Sequence, residues 1–387
     1  MENSEAENES HPESDPGSYS EGANAGASAA NASCTGVPVS HPMLQAMVEP
    51  MPGQVGPQES NEKVDRNESS SVSDPGPPSE VDALHAHNFL VEETLLSALA
   101  YQPRPSDVFT VSYPKCGSTL LQFLVFGIYT RGQPSTEFLD FALRSPYLEW
   151  LGTWAVLNMR RPGAIKTHLP FDKHPYNPQA KYIYIVRNPF DCCAAYYTHM
   201  RNMPLTRPEA SSFDAFFDAF LEGKVIYGDY FDHVFSWYDR RHDANVLFIT
   251  YEDVKSDPGA WTVRIAEFID QPFAQELRDD PVLLSDVLNM ASLNGMSATC
   301  DQGVRSILAD ELATVGGREP ITTAEFYKGI FAEALEIAEG SDFTRRPIWG
   351  LWKDFFKPEQ VRRMKEWMTQ KTSGTDLLSI WSNIELP

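Results

Sequence analysis

Positive charge is scarce in this chain. It has 31 Lys plus Arg against 54 Asp plus Glu in 387 residues, a formal net charge of -23. Nucleic acid and anionic membrane surfaces are held by a positive field, so the overall charge argues against both as partners, although a local basic pocket is still allowed. A run of ~20 apolar residues, the length a membrane helix needs, is also missing. Met1 to Ser10 is acidic and polar, with no basic start and no apolar run, which fits neither a signal peptide nor a transit peptide. Only five cysteines occur (Cys34, Cys116, Cys192, Cys193 and Cys300), and so sparse and odd a set suits a reducing compartment. The expectation is a soluble cytoplasmic protein. The usual nucleoside-triphosphate loop, Gly-x-x-x-x-Gly-Lys-Ser/Thr, is absent as well, because Gly223-Lys224 is followed by Val225. No metal-ligand cluster is evident, since His85-Ala86-His87 alone is too sparse.

The acids are concentrated at one end. Residues 1–80 hold fourteen acids, two bases (Lys63 and Arg66) and one aromatic, Tyr19, amid Ser, Asn, Gly and Pro. Such a segment cannot bury enough apolar surface to offset the entropy of ordering. Residues 1–82 are therefore expected to form a disordered acidic tail, and residues 83–387 the folded domain. A hydrophobic content of 42 % across the chain is enough for a sizeable core.

Within the domain, three short runs rich in β-branched and aromatic residues read as strands: Asp107 to Tyr113, Lys181 to Val186 and Asn245 to Thr250. Helical spacing of apolar residues marks 83–100, Thr119 to Thr130, a segment from about Phe190, Ser212 to Leu221, about Tyr227 to Arg241, Gly259 to Ile269 and Pro358 to Met368. Strands alternating with helices predict an α/β fold with a central parallel sheet flanked by helices. Ligands in such folds lie beyond the carboxyl ends of the strands, and all three runs end there in polar or charged sequence.

Four segments carry candidate chemistry. Tyr113-Pro114-Lys115-Cys116-Gly117-Ser118-Thr119 is a glycine-containing turn feeding a helix, where free backbone N–H groups, a Lys and two hydroxyls suit a phosphate or sulfate. In Lys166-Thr167-His168-Leu169-Pro170 an ammonium and an imidazole stand two residues apart, on one face of an extended segment. Arg187-Asn188-Pro189-Phe190-Asp191 puts a guanidinium just past a buried strand, placed to hold an anion. Arg345-Arg346-Pro347-Ile348-Trp349-Gly350-Leu351-Trp352-Lys353 has two adjacent Arg before a turn. Each alone also has a plainer reading: a strand-to-helix turn, a surface Lys-x-His, an Arg187–Asp191 salt bridge, a solvated basic turn.

Taken together, in this order and with Thr250-Tyr251-Glu252-Asp253-Val254-Lys255-x-Asp257-Pro258 as a fifth, these segments make residues 99–368 resemble the cytosolic sulfotransferase family. The resemblance implies a P-loop-like parallel sheet and transfer of a sulfonate group from 3′-phosphoadenosine-5′-phosphosulfate (PAPS) to an acceptor hydroxyl or amine, without a metal. It also implies roles. Lys115, Cys116, Gly117, Ser118 and Thr119 would form the loop around the 5′-phosphosulfate, with Lys115 neutralising charge on the bridging oxygen. His168 would take the acceptor's proton, and Lys166 would help hold the transferring sulfonate. Arg187, Arg345 and Arg346 would grip the 3′-phosphate, and Tyr251 would contact the adenine.

The chain departs from the family pattern at several positions. A Ser that binds the 3′-phosphate is Ala195, the Gly after the two late basic residues is Pro347, and two rings that stack on adenine are Leu120 and Leu293. These departures predict a looser grip on the nucleotide and motivate a second reading, a non-catalytic binding or scaffold protein. A third reading is a nucleotide kinase with an unusual phosphate loop. The family's dimer motif is not kept either, the aligned positions being Lys353, Lys357-Pro358 and Arg362, so the oligomeric state is open. Phe138, Phe141, Tyr147, Trp150 and Trp154 crowd the expected acceptor region, and ring-lined pockets suit a phenol, a monoamine or a flat hydrophobic alcohol. The alternative is that these rings are core, as is the reading for Tyr227 to Tyr238.

Overall fold

A computed structural model describes residues 92–133, 138–202, 211–296, 298–299 and 350–387. The expected tail over 1–82, the start of the first expected helix, and Arg345, Arg346 and Pro347 lie outside the described residues. Four short strands form one parallel sheet: β1 (Val108–Val111), β2 (Ile165–Thr167), β3 (Lys181–Val186) and β4 (Val246–Thr250), in the order β2-β1-β3-β4. Three of them are the strands the composition predicts. The fourth, β2, is three residues long, too short for periodicity to announce it.

Residues of β3 alternate between the two faces of the sheet. Tyr182, Tyr184 and Val186 enter one apolar cluster with Phe109, Val111, Phe190 and Trp237. Ile183 and Ile185 enter the other, with Leu121, Leu124, Ile249 and Ile265. A sheet buried on both faces explains why its strands read as nearly continuous apolar runs.

Helices cover both faces. Those that matter for the site are α1 (Glu92–Leu99), α2 (Ser118–Thr130), α3 (Phe138–Arg144), α4 (Leu148–Leu157), α5 (Pro189–Asn202), α6 (Phe213–Leu221), α7 (Tyr230–Tyr238) and α8 (Tyr251–Ser256). Downstream come α9 (Pro258–Ile269), α10 (Gln271–Asp279), α11 (Pro281–Met290) and α12 (Pro358–Lys371). Helix α7 starts at Tyr230, three residues after the predicted start. Tyr227 and Gly228 take left-handed backbone angles (φ 68° and 73°), and the Asp229 carboxylate accepts the N–H groups of Phe231 and Asp232 as the cap.

From β1 the chain runs to β2 on one side and returns to β3 on the other. Connections thus diverge at the carboxyl end of β1, the place where open α/β sheets bind ligands. No helix of the described residues is long and apolar enough to cross a membrane. The positions aligned with the absent dimer motif are engaged within the chain: Lys357 pairs with Asp214 at 2.7 Å, and Arg362 with Glu359 at 2.6 Å.

Candidate active site

Strand register assembles the site. Val111 lies opposite Thr167, so the next step along β1 and β2 sets Ser112 beside His168. Val186 lies opposite Thr250, so the next step along β3 and β4 sets Arg187 beside Tyr251. Both pairs stand at the carboxyl edge of the sheet, and the turn between β1 and α2 follows Ser112 directly.

That turn is tight. Lys115 and Gly117 have φ of 64° and 107°, a conformation that a glycine adopts without penalty. Gly117 is required for a second reason: a Cβ there would lie 2.7 Å from Cδ2 of Tyr251. Helix α2 begins without a side-chain cap, so its first-turn N–H groups have no capping oxygen. The Ser118 hydroxyl is buried and has no hydrogen-bond partner among the described residues. An uncapped helix start and an orphaned buried hydroxyl fit an anionic group, as the phosphosulfate of PAPS would supply. Cys116 differs from its neighbours. Its thiol is buried in the core with Sγ 3.6 Å from Sγ of Cys192, so its share in the loop is one of packing. Thr119 opens α2 beside Ser118 and is partly exposed.

Arg187 is 7 % exposed, and its guanidinium lies over the Tyr251 ring, 4.7 Å from the centroid. Its Nε has no hydrogen-bond partner among the described residues. Burial opposes its charge, but Tyr251, Asp191 and Glu252 outweigh that, and its pKa lies above the ordinary arginine value. The plainer reading, a salt bridge to Asp191, is not what the fold builds. Asp191 instead accepts the backbone N–H groups of Gly350 (3.0 Å) and Trp352 (3.1 Å) and the Asn188 side-chain amide (3.0 Å). It thereby ties the start of α5 to the segment just after the late basic residues. Glu252 accepts the backbone and side-chain N–H of Asn188 at 2.8 and 2.7 Å and fixes the turn that carries Arg187. Tyr251 packs against Gly117 on one side and Arg187 on the other, which joins the phosphate turn to the arginine. Ala195 is buried on α5, and Leu120 and Leu293 pack into the apolar cluster with α2.

His168 follows β2 directly and is 5 % exposed. Its Nδ1 lies 2.6 Å from the Ser112 carbonyl oxygen. A carbonyl only accepts, so Nδ1 carries the proton and the lone pair of the neutral ring is on Nε2. The backbone of His168 is held at both ends: Glu149 Oε1 accepts its N–H at 2.6 Å, and His233 Nε2 donates to its carbonyl at 2.9 Å. Burial lowers the His233 pKa to about 4, so that ring is a neutral donor near pH 7. Lys166 shares the Tyr147 ring with His168. Its ammonium is 4.7 Å from the ring centroid, and the imidazole stands edge-on at 5.3 Å.

Among the expected acceptor-pocket rings, Tyr147 stands against His168, its neighbour Trp150 lies 6.0 Å from Tyr147 between ring centroids, and Trp154 is partly buried further along α4. Phe141 stacks on Phe123 at 4.4 Å and is core, and the Phe138 side chain lies outside the described residues. Tyr227, which sequence pattern reads as the start of a core helix, brings its hydroxyl to Tyr147 (2.7 Å) and Glu149 (3.3 Å), with its ring 5.5 Å from His168. Glu149 and Tyr227 are the members that sequence reading missed. A lone acid in an apolar helix, Leu148-Glu149-Trp150-Leu151, was the available signal. Burial raises the Glu149 pKa to about 7, although the His168 amide and the nearby Lys166 charge favour the ionised form. Among the described residues no three His, Cys, Asp or Glu side chains gather as around a metal ion.

Fold and site together define an α/β protein with a tight turn and an uncapped helix start at the point where its strand order diverges. Residues 105–315 match the family described as the sulfotransferase domain, and the chain belongs to that family. A bovine relative (Bos taurus), sulfotransferase 1A1, is 32 % identical over 292 residues, covering 73 % of this chain and 88 % of the relative. A rabbit (Oryctolagus cuniculus) amine sulfotransferase is 28 % identical over 298 residues, covering 76 % and 89 %. A mouse sulfotransferase solved in complex with PAP superposes with a TM-score of 0.53 at 26 % identity, covering 74 % of this chain and 92 % of that one. Retinol dehydratase, solved with androsterone and PAP, shares the fold (TM-score 0.52, 22 % identity, covering 77 % and 88 %). The chain is thus a PAPS-dependent sulfotransferase, which displaces the kinase and scaffold readings.

Proposed function

We propose that this enzyme transfers the sulfonate of PAPS in line to the hydroxyl or amine of a small aromatic or hydrophobic acceptor, with His168 as general base. One observation carries the reading: the Ser112 carbonyl accepts a hydrogen bond from Nδ1–H of His168, which leaves Nε2 as the basic nitrogen. PAPS supplies the sulfonate and a phosphate leaving group. His168 Nε2 accepts the acceptor's proton. Lys115, with the first-turn N–H groups of α2 and the Ser118 hydroxyl, receives the negative charge that develops on the leaving side. Lys166 steadies the group in transfer, and Arg187, with Arg345 and Arg346, holds the 3′-phosphate. Tyr251 lies against the adenine, and Cys116 and Gly117 shape the turn. Chemistry of this kind needs positioning and fixed charge more than covalent help.

Tyr147 and Tyr227 beside His168, with Trp150 next to Tyr147, favour a phenol, a monoamine or a flat alcohol as acceptor. Substituting His168→Ala is expected to abolish turnover, while calorimetry with PAP gives an affinity within about threefold of the parent, because the imidazole is assigned to the proton and not to a phosphate. Equal turnover in variant and parent overturns the base. A panel of labelled PAPS against phenols, monoamines, sterols and sugars tests the acceptor class, and turnover confined to sugars rejects it.

A further inference from the structure

The buried carboxyl of Glu149, in the first turn of α4, lies where two lines of contact to the imidazole meet. The first runs through the backbone: Oε1 accepts the His168 N–H at 2.6 Å. The second runs through rings: the same oxygen accepts the Tyr227 hydroxyl at 3.3 Å, and that hydroxyl pairs with Tyr147 at 2.7 Å. The Tyr227 hydroxyl donates its one proton to Glu149 Oε1, so in the Tyr147–Tyr227 pair it accepts and Tyr147 donates. Both phenol rings stand edge-on to His168, at 5.3 and 5.5 Å. One oxygen atom thus sets the backbone of the base and the two rings that box it.

We propose that Glu149 is a positioning residue for sulfonate transfer, which fixes the direction in which His168 Nε2 meets the acceptor. The inference rests on His168 being the base. Its physical ground is that displacing a catalytic group by about 1 Å costs on the order of 10²-fold in rate. Tyr147 and Tyr227 are also the rings assigned above to the acceptor, so on that reading the same carboxyl links acceptor fit to base placement.

The test uses the full chain with PAPS and a naphthol or, if that gives no turnover, the best acceptor of the panel above. Glu149→Ala is expected to lower kcat about 10- to 100-fold, with PAP affinity by calorimetry within about threefold of the parent. Glu149→Gln, whose amide oxygen accepts the same N–H, is expected to return kcat to within about fivefold of the parent. Tyr227→Phe, which removes one hydroxyl and buries no charge, is expected to lower kcat about three- to tenfold, again with PAP affinity kept. On the residual single-turnover rate of His168→Ala, adding Glu149→Ala is expected to cost less than twofold. The proposal fails if Glu149→Ala keeps kcat within twofold of the parent. It also fails if Glu149→Gln loses as much as Glu149→Ala with PAP affinity falling in step, which marks a purely structural role. Should Glu149→Ala not fold, unchanged kcat in Tyr227→Phe overturns it. An active His168→Ala rejects the base itself, whereas an inactive His168→Ala beside fully active Glu149→Ala and Tyr227→Phe rejects only the positioning role.

Discussion

Ser118 Oγ and Arg187 Nε are buried polar atoms without a hydrogen-bond partner among the described residues. Leaving such an atom unsatisfied costs about 1–3 kcal/mol, and two of them on segments that both meet Tyr251 support the proposed anion site. The two effects of removing such an atom can be separated. Ser118→Ala deletes a buried hydroxyl that bonds to nothing in the described protein, so the unfolding midpoint is expected not to fall and to rise by a few degrees, about 1–3 kcal/mol of desolvation cost being relieved. The same change removes a donor to a charged ligand, so PAP affinity is expected to fall about ten- to hundredfold. A matched loss of both in thermal unfolding and calorimetry would mean that Ser118 serves the fold. His168 is a different kind of residue: its tautomer is decided by the Ser112 carbonyl, an atom that no motif names.

The turn between β1 and α2 was legible as a tight strand-to-helix turn because its residue types are few and its position after a strand is fixed. What could not be read is why Gly117 must be glycine. Its φ of 107° is one reason, and the Tyr251 ring, 134 positions downstream, is the other. Gly117→Ala is expected to lower stability by about 1–3 kcal/mol in urea titration and to weaken PAP binding, because the added methyl displaces Tyr251 from Arg187. A variant with parent-like affinity would detach Tyr251 from the nucleotide site. Strands β1, β3 and β4 were legible from their β-branched and aromatic runs. Strand β2 was not, since three residues carry no period and its place at the sheet edge is set by pairing with β1. The start of α7 was misplaced for a comparable reason: apolar spacing runs on through Tyr227, and only the left-handed turn at Tyr227 and Gly228 interrupts it.

The stability of the whole molecule should depend on pH through the buried acid of the site. Burial raises Glu149 to about 7, above the 4.5 of an unfolded glutamate, so folding takes up a proton between those values. Its contribution is full below pH 4.5 and is lost as pH rises through 7, by up to about 3 kcal/mol. Glu149→Gln lacks this dependence. In urea unfolding at pH 5 and pH 8, the stability of Glu149→Gln relative to the parent is therefore expected to rise toward pH 8, and a constant difference would mean that the carboxyl does not titrate in that window. His174 and His233, lowered by burial to about 3 and 4, act with the opposite sign: their contribution is present above 6.5 and lost as pH falls. They are common to both proteins and cancel in the comparison. By itself the sequence determined the fold class and the segments that carry the turn after β1, the imidazole and the guanidinium, because strand composition and short turn motifs are local properties. Only tertiary structure decided that Glu149 and Tyr227 belong with His168 and that Asp191 holds Gly350 instead of Arg187. Those partners are brought together by strand register and helix packing, and hydrogen bonds between residues dozens of positions apart leave no periodic trace in the chain.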